Sequence, residues 1–501
     1  MLFNTMQYIL FLPIVVLVYY CLPGRMRNVW LLGASYYFYM QWNPLYILLL
    51  FGCTLITYTG GVILEKLNGM QGEKHEIHGI IERRLWLILC IALNLGILAF
   101  FKYISFGIAL LNRILECVQL KPVSWQYDIL LPVGISFYIL QSLGYVIDVY
   151  RGEIGAEKSF IRYALFVSFF PQLVAGPIER SGNLLTQLHE PHVFHYENLR
   201  KGMLLILYGL FLKMVIADRA AMIVDAVYGD SGAYSGVYII VATFFFSIQI
   251  YCDFYGYSTI ARGSALLMGI RLMDNFNAPY FSRSIGEFWR RWHMSLSYWF
   301  RDYLYIPLGG SRKGETRKEV NRMFVFAVSG LWHGASLAFI CWGVFNGAAQ
   351  AAEDVMDWLK VRLANGRGMK AARFSRRLMQ TAVTFVLITI AWLPFRCGGL
   401  ETTVEVLRNM CRFDNWVGIL EGTLSVELLG GPVYMRVLLG SILALFIVDY
   451  HKYKGRDAAE LFLGQEWWFR TAIIMVMLFT ILLFGCYGEI YDTQQFIYFQ
   501  F

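Results

Sequence analysis

Charge is scarce in this chain. Asp, Glu, Lys and Arg make up 16% of its 501 residues, against about a quarter in a soluble domain. An ordinary water-soluble fold is therefore excluded. The basic residues form no stripe free of apolar neighbours, so a nucleic-acid-binding surface is not expected. The nine cysteines include no C-x-x-C pair, which leaves zinc-ribbon and thioredoxin-type chemistry without support. Neither a G-x-S-x-G elbow nor a phosphate-binding loop occurs, so hydrolase and nucleotide chemistry of those kinds lack a basis. His189, His192 and His195 are spaced by three in a Pro-interrupted loop and miss the i, i+4 spacing of a zinc helix. No metal site is expected. Nor does the start read as a cleaved signal peptide, because Arg25 and Arg27 follow the first apolar run instead of preceding it. That run is expected to stay as a first span with its start outside.

Apolar residues are abundant instead. Hydrophobic types make up 57% and aromatic types 17%. A crossing helix needs about 20 mostly apolar residues. Such runs fall near 7–22, 28–42, 45–65, 84–101, 130–149, 200–218, 236–256, 379–395, 433–450 and 467–486. The stretch 320–352 is long enough for two more, joined by a tight turn. Cytoplasmic loops are enriched in Lys and Arg. With the N-terminus outside, the inner loops are 23–27, 66–83, 150–199, 257–319, 353–378 and 451–466, and these and their flanks hold most of the 43 Lys and Arg residues. Outer loops near Trp42, Asp230 and Glu421 are poor in them. The C-terminus then lies outside, near Asp492. Arg219 and Lys213, near the end of the sixth span, are expected to snorkel. Cys397 and Cys411 are candidates for a disulfide on the oxidising side.

Some segments fit neither span nor loop. Residues 103–118 are apolar but short. Residues 160–178 contain Phe169-Phe170-Pro171-Gln172-Leu173-Val174-Ala175-Gly176-Pro177, whose Pro and Gly oppose a through-going helix. Irregular backbone at membrane depth is tolerated where protein buries it or a cavity adjoins it, so both pieces read as re-entrant or interfacial. Residues 286–306 interleave Phe288, Trp292, Trp299, Phe300 and Tyr303 with Arg290, Arg291 and Arg301. That pattern reads as an amphipathic helix in the interface plane. The nearest thing to a linker is 363–377, which contains Gly366 and Gly368.

Ionisable residues inside a membrane are costly and mark function by default. His333 sits in Ser329-Gly330-Leu331-Trp332-His333-Gly334-Ala335-Ser336, within the apolar stretch 323–349. Gly330 and Gly334, four apart, leave one helix side open to a ligand or another backbone. Burial favours a neutral imidazole, which can act as a general base; the alternative is a core histidine bonded to a neighbouring helix. His293 lies among Trp and Arg, where an interfacial aromatic role competes with a catalytic one. The arginines around it suit an anionic headgroup or phosphate. Asp253, at the end of an apolar span, would orient a base or pair with a cation.

These motifs resemble the membrane-bound O-acyltransferase family, in its bacterial alginate O-acetyltransferase branch. The matching residues run from Glu287-Phe288-Trp289-Arg290-Arg291-Trp292-His293 through Trp299-Phe300-Arg301-Asp302-Tyr303 to Ile306-Pro307-Leu308-Gly309-Gly310. Asn275-Phe276-Asn277-Ala278-Pro279-Tyr280, the segment Phe169 to Ile178, Ser329 to Ala335 and the closing Phe496-Ile497-Tyr498-Phe499 match as well. The similarity extends over the whole chain. It implies an all-α integral membrane fold: one polytopic domain over 1–501, a ring of about 11–12 crossing helices. Re-entrant and interfacial helices would surround a central funnel or tunnel. The family core would cover about 100–400, with 433–450 and 467–486 as additional C-terminal spans.

The resemblance also implies chemistry. His333 corresponds to the family's catalytic residue and His293 to a second active-site histidine. Arg290, Arg291, Trp292, Trp332, Ser336, Asn346 and Asp253 are the substrate-binding candidates, with His293 and Arg291 able to orient the donor or stabilise an oxyanion. Many relatives carry His in the W-G-x-x-H-G segment where this chain has Asn346; an amide can still hydrogen-bond. The expected reaction passes an acyl group, in the first instance acetyl, from a cytoplasmic thioester such as acetyl-CoA to a hydroxyl outside, with no bound cofactor. The expected setting is the bacterial cell membrane, both termini extracytoplasmic. Expected partners are an extracytoplasmic acetyltransferase or relay protein and a cell-surface polysaccharide. Two alternatives stay open: D-alanyl transfer toward teichoic acid from an aminoacyl carrier protein, and a proton-coupled transporter using His333 and Asp253. The transporter predicts inverted repeats, which the sequence does not display.

Overall fold

The computed structural model describes residues 1–69, 76–125, 131–174, 176–230, 232, 234, 236–363, 373–412, 422 and 428–487. Glu421, Asp492, the Phe496–Phe499 motif and most of the 363–377 linker lie outside these described residues. Among the described residues every regular element is a helix. Helix is the economical answer for an apolar chain, since it satisfies each backbone N–H and C=O within its own segment.

Six described helices are long and apolar enough to cross a membrane: Tyr46–Gly69, Gly79–Cys117, Val237–Leu267, Phe374–Cys397, Pro432–Tyr453 and Trp467–Phe484. The remaining apolar runs also fold as helices, at Met6–Cys21, Gly24–Met40, Ile135–Arg151, Tyr196–Phe211 and the pair Glu315–His333 and Leu337–Leu363. The protein is a multi-pass membrane protein.

The helices fall into two compact units. One comprises Met1–Met203 and Ala261–Met273. It holds α1 (Met6–Cys21), α2 (Gly24–Met40), α3 (Tyr46–Gly69), α4 (Glu76–Leu98), α5 (Ile104–Cys117), α6 (Ile135–Arg151), α7 (Phe160–Ser168) and α8 (Phe170–Leu173). Residues 103–118 are not a separate re-entrant piece. A π-helical turn at Ala99–Tyr103 joins α4 to α5 and leaves one 39-residue helix, Gly79–Cys117. No Pro breaks the run, and the wider turn carries the helix through Lys102 without interruption. The Phe169–Ile178 segment does interrupt the helix. Phe169 leaves helical geometry after α7, α8 lasts one turn, and residues 176–180 belong to no helix. Phe169, Phe170, Leu173 and Ile178 are all buried. Gln172 Nε2 and Gln141 Nε2 both donate to Phe166 O, so irregular backbone is supplied with side-chain partners.

The other unit comprises Leu204–Ile260 and Asp274–Phe501. α9 (Tyr196–Phe211) contributes its second half here, followed by α10 (Asp218–Gly229) and most of α11 (Val237–Leu267). Next come α12 (Ile285–Trp289), α13 (Met294–Phe300), α14 (Glu315–His333), α15 (Leu337–Leu363), α16 (Phe374–Ala391), α17 (Leu393–Cys397) and α18 (Leu400–Met410). Two sequence expectations change in this unit. Lys213 does not snorkel: it is 1% exposed and places Nζ 2.8 Å from Asp218 Oδ1 and 2.7 Å from Asp253 Oδ1. Arg219 is buried as well and donates to Phe484 O. Carboxylates on α10 and α11 hold Lys213, and a backbone carbonyl together with the face of Tyr434 holds Arg219, inside the protein. Cys397 and Cys411 are both free thiols, the first at the end of α17 and the second capping α18.

α14 and α15 form a tight hairpin, and glycine is the reason. A Cβ on Gly330 would lie 2.1 Å from Phe339 O, and one on Gly343 would lie 2.1 Å from Phe326 O. Each helix thus lays its backbone into the gap left by the other's missing side chain. The open side read from Gly330 and Gly334 is filled by α15.

Candidate active site

The stretch 286–306 is not one interfacial helix. α12 ends after five residues, α13 begins at Met294, and a π-helical turn follows at Arg301–Tyr305. Phe288, Trp292, Trp299 and Phe300 are buried in protein. Trp292 packs its ring 5.0 Å from Phe276, 5.4 Å from Phe288 and 4.9 Å from Trp392. Rings from two other segments, Phe276 and Trp392, outcompete the interface for Trp292.

His293 stands at the break between the two short helices. Its backbone is left-handed, with φ 42° and ψ 54°, a conformation costing a non-glycine residue about 1–2 kcal/mol. Two backbone bonds hold it there. Asn277 N donates to Arg291 O at 2.9 Å, and Met294 N donates to Asn275 O at 2.9 Å. Asn275 is fixed in turn, since Ser295 Oγ donates to its Oδ1 and its Nδ2 donates to Ser258 Oγ. The Asn-Phe-Asn motif therefore works as a brace for His293. Strain held by surrounding structure is common at functional positions.

His333 is the last residue of α14, before Gly334 leaves helical geometry. The turn Gly334–Ser336 is closed by Ser336 N donating to Gly334 O and Ser336 Oγ accepting from Ala338 N. Ser336 thus caps the start of α15. The two imidazoles meet inside the second unit with ring centres 6.5 Å apart. His293 is 1% and His333 4% exposed. Their walls are aromatic. Phe254 meets the His293 ring edge-on at 4.7 Å. Trp332, Trp342 and Phe395 lie 4.8, 5.4 and 5.3 Å from the His333 ring. Burial pushes the His293 pKa down to about 3, because it strips away the water that would solvate an imidazolium. It is neutral at physiological pH.

Trp332 touches both histidines, its ring 6.2 Å from that of His293. The other candidates from the sequence occupy different places. Arg291 is engaged by Glu287 Oε1 at 3.0 Å, by Asn277 O at 3.1 Å and by the face of Tyr453. Arg290 is exposed beside Gly286. Trp292 is a core ring behind the site, and Asp253 is the buried partner of Lys213. Asn346 is fully buried; its Oδ1 accepts from Trp289 Nε1 at 3.0 Å and its Nδ2 donates to Trp342 O at 2.9 Å. The amide at this position links α15 to α12.

Several aromatic residues went unread in the sequence: Phe254, Trp342 and Phe395 against the histidines, and Trp289 and Trp392 packed behind them on Trp342. Pro394 was the available signal for two of them. It ends α16 and starts α17, turning Trp392 and Phe395 inward. Among the described residues no group of three or more His, Cys, Asp or Glu side chains could hold a metal ion. His189 instead pairs with Glu157 at 2.6 Å.

A buried pair of imidazoles in an aromatic enclosure, one of them neutral by burial, is equipped for base chemistry away from water. The sequence is similar to those of known acyltransferases. Residues 151–395 match the model of the MBOAT, membrane-bound O-acyltransferase family. The chain is 35% identical to a probable alginate O-acetylase of Pseudomonas putida, over 98% of both chains. It is 37% identical to a probable alginate O-acetylase of Pseudomonas aeruginosa, over 87% of this chain and 79% of that one. It is 34% identical to a peptidoglycan O-acetyltransferase of Helicobacter pylori, over 82% and 80%. This chain belongs to the membrane-bound O-acyltransferase family and is an O-acyltransferase.

Proposed function

We propose that this protein moves an acetyl group from a cytoplasmic thioester, acetyl-CoA or another acyl thioester, through the bacterial cell membrane to a hydroxyl destined for a cell-surface or exported polysaccharide. The observation that carries the reading is the buried His293–His333 pair, 6.5 Å between ring centres. It stands in a chain similar along nearly its whole length to probable alginate O-acetylases. Relatives named for alginate and for peptidoglycan share O-acetyl transfer and differ in polymer. The acetyl group, more than any one polymer, is the common element.

His333 takes the proton from the attacking hydroxyl as its oxygen bonds to the thioester carbonyl carbon. The carbon–sulfur bond breaks, and the proton passes to the departing thiolate, so the base ends neutral. A neutral imidazole suits this role near pH 7. His293, held neutral, keeps one N–H donor for the carbonyl oxygen as it gains charge, and one such donor is typically worth about 3 kcal/mol. No resident cofactor takes part. Passing only the acyl group spares the membrane the cost of a charged donor. An extracytoplasmic acetyltransferase or relay protein would complete the modification, with both chain termini on that side.

Purified protein in proteoliposomes, given acetyl-CoA and separately a charged acyl carrier protein, tests the donor. Thioester loss that requires His333 with acetyl-CoA supports the acetyl reading. His333-dependent loss with an aminoacyl carrier alone would redirect it to D-alanyl transfer.

A further inference from the structure

His293 and His333 ride on different helices, and something must fix their separation. His333 ends α14, and α14 is locked to α15 by mutual glycine contacts. His293 follows α12, a helix of five residues. So short a helix has no stability of its own. Its position has to be imposed from outside.

The backbone accounting of α12 shows where that constraint comes from. A helix start leaves its first amides without intrahelical partners. Glu287 N donates to Ser284 Oγ at 3.0 Å, and Phe288 N donates to Ser284 O at 2.9 Å. The two amides ahead of them reach off the segment. Ile285 N donates to Glu353 Oε1 at 2.6 Å and Gly286 N donates to Glu353 Oε2 at 3.1 Å. One carboxylate of α15 thus spans two consecutive amides with both oxygens. At the other end of α12, Trp289 Nε1 donates to Asn346 Oδ1, also on α15. Asn346 and Glu353 are seven residues apart, on one face of that helix. Asp354, the next residue, lies about 100° further round the helix and faces α14. It binds Lys318 and Arg322 of α14 at 2.8 Å each. α15 is therefore tied by adjacent carboxylates to both histidine-bearing segments.

We infer that Glu353 is a positioning residue, which with Asn346 clamps α12 onto α15 and so sets the reach from His293 to His333. The inference rests on those two histidines acting as the reacting pair. Its chemistry is specific to a carboxylate. Glutamine would offer one acceptor oxygen and turn an NH2 group toward the second backbone N–H. The geometry also predicts a kinetic signature, because a misplacement of about 1 Å in a reacting group can cost roughly 100-fold in rate, whereas donor contacts made elsewhere stay intact.

The test compares wild type, Glu353→Gln, Glu353→Asp, Trp289→Phe and Asp354→Asn as full chains in nanodiscs. Each is read by hydrogen exchange and by acyl-transfer kinetics with acetyl-CoA. Glu353→Gln is expected to raise exchange at least about tenfold across 284–293 while α14 and α15 stay protected, with kcat down about 10- to 100-fold and KM for the donor little changed. Glu353→Asp restores part of both readouts. Trp289→Phe loosens the same segment to a smaller degree, and Asp354→Asn leaves it protected. Unchanged exchange over 284–293 in Glu353→Gln overturns the inference, as does opening of that segment with kcat unchanged. Should Glu353→Gln unfold the protein as a whole, unaltered exchange in Trp289→Phe overturns it. Failure of the enzymatic reading shows separately, as His333→Ala turning over like wild type, and the exchange data decide the clamp in either case.

Discussion

Gly330→Ala is the sharpest perturbation of the hairpin that carries His333. The added methyl would sit 2.1 Å from Phe339 O, with Phe339 C at 2.9 Å. Ordinary carbon contacts lie at about 3.5–4.0 Å, so α15 must withdraw from α14 by roughly 1 Å or more. The obstacle is backbone, which cannot swing aside as a side chain can. Overpacking of this kind costs about 1–3 kcal/mol. The displacement falls three residues before His333, whose ring packs on Trp342 and Phe395. A shift of about 1 Å there should lower turnover roughly 100-fold. Thermal unfolding in detergent and acyl transfer in proteoliposomes measure the two effects. Gly343→Ala meets Phe326 O at the same 2.1 Å from the opposite helix and should reproduce both. Gly440, with open space around its Cβ position, is the control. Wild-type melting and turnover in Gly330→Ala would refute the close-contact argument.

Other consequences follow from buried charge and burial itself. Lys213→Met leaves Asp218 and Asp253 without their shared cation and should destabilise the protein by about 3–5 kcal/mol, read as a lowered melting temperature. For His293, the folded pKa of about 3 lies below the ordinary 6.5. The unfolded chain therefore binds more protons between those values, and stability should fall as pH drops from about 6.5 toward 3. His293→Gln should flatten that slope in a pH series of melts. Glu179 runs the other way. Burial raises its carboxyl to about 7, although Met273 N and Asn183 Nδ2 both donate to it. The folded state then holds the extra proton, so its contribution is present below about 4.5 and is lost as pH rises through 7. Glu179→Gln should remove that dependence from the same melts.

Much of this was legible in the sequence, for reasons that can be named. Apolar runs of crossing length have few foldings open to them, so each of the runs became helix. The Phe169–Ile178 interruption was visible because Pro171 and Pro177 constrain the backbone locally. His333 stood out as a titratable group in apolar surroundings. The unread features depend on residues far apart in the chain. Nothing local to His293 announces a left-handed backbone; the bonds that impose it come from Asn275 and Asn277. Lys213 looked like a snorkelling residue because its partner Asp253 lies forty positions on, on another helix. The aromatic pattern of 286–306 matched an interfacial helix equally well until Phe276 and Trp392 were placed against it. Asn346 looked like a substrate contact, yet its amide is spent on Trp289 and on its own helix.

The most direct test of the central claim is transfer across a sealed bilayer. Proteoliposomes with a labelled acetyl thioester on one side and a hydroxyl acceptor on the other are followed for label on the acceptor, with wild type and His333→Ala. The account predicts label crossing with wild type, while the thioester's thiol stays behind, and loss of that transfer in His333→Ala. Equal transfer by His333→Ala, or passage of the intact thioester with the label, would contradict it.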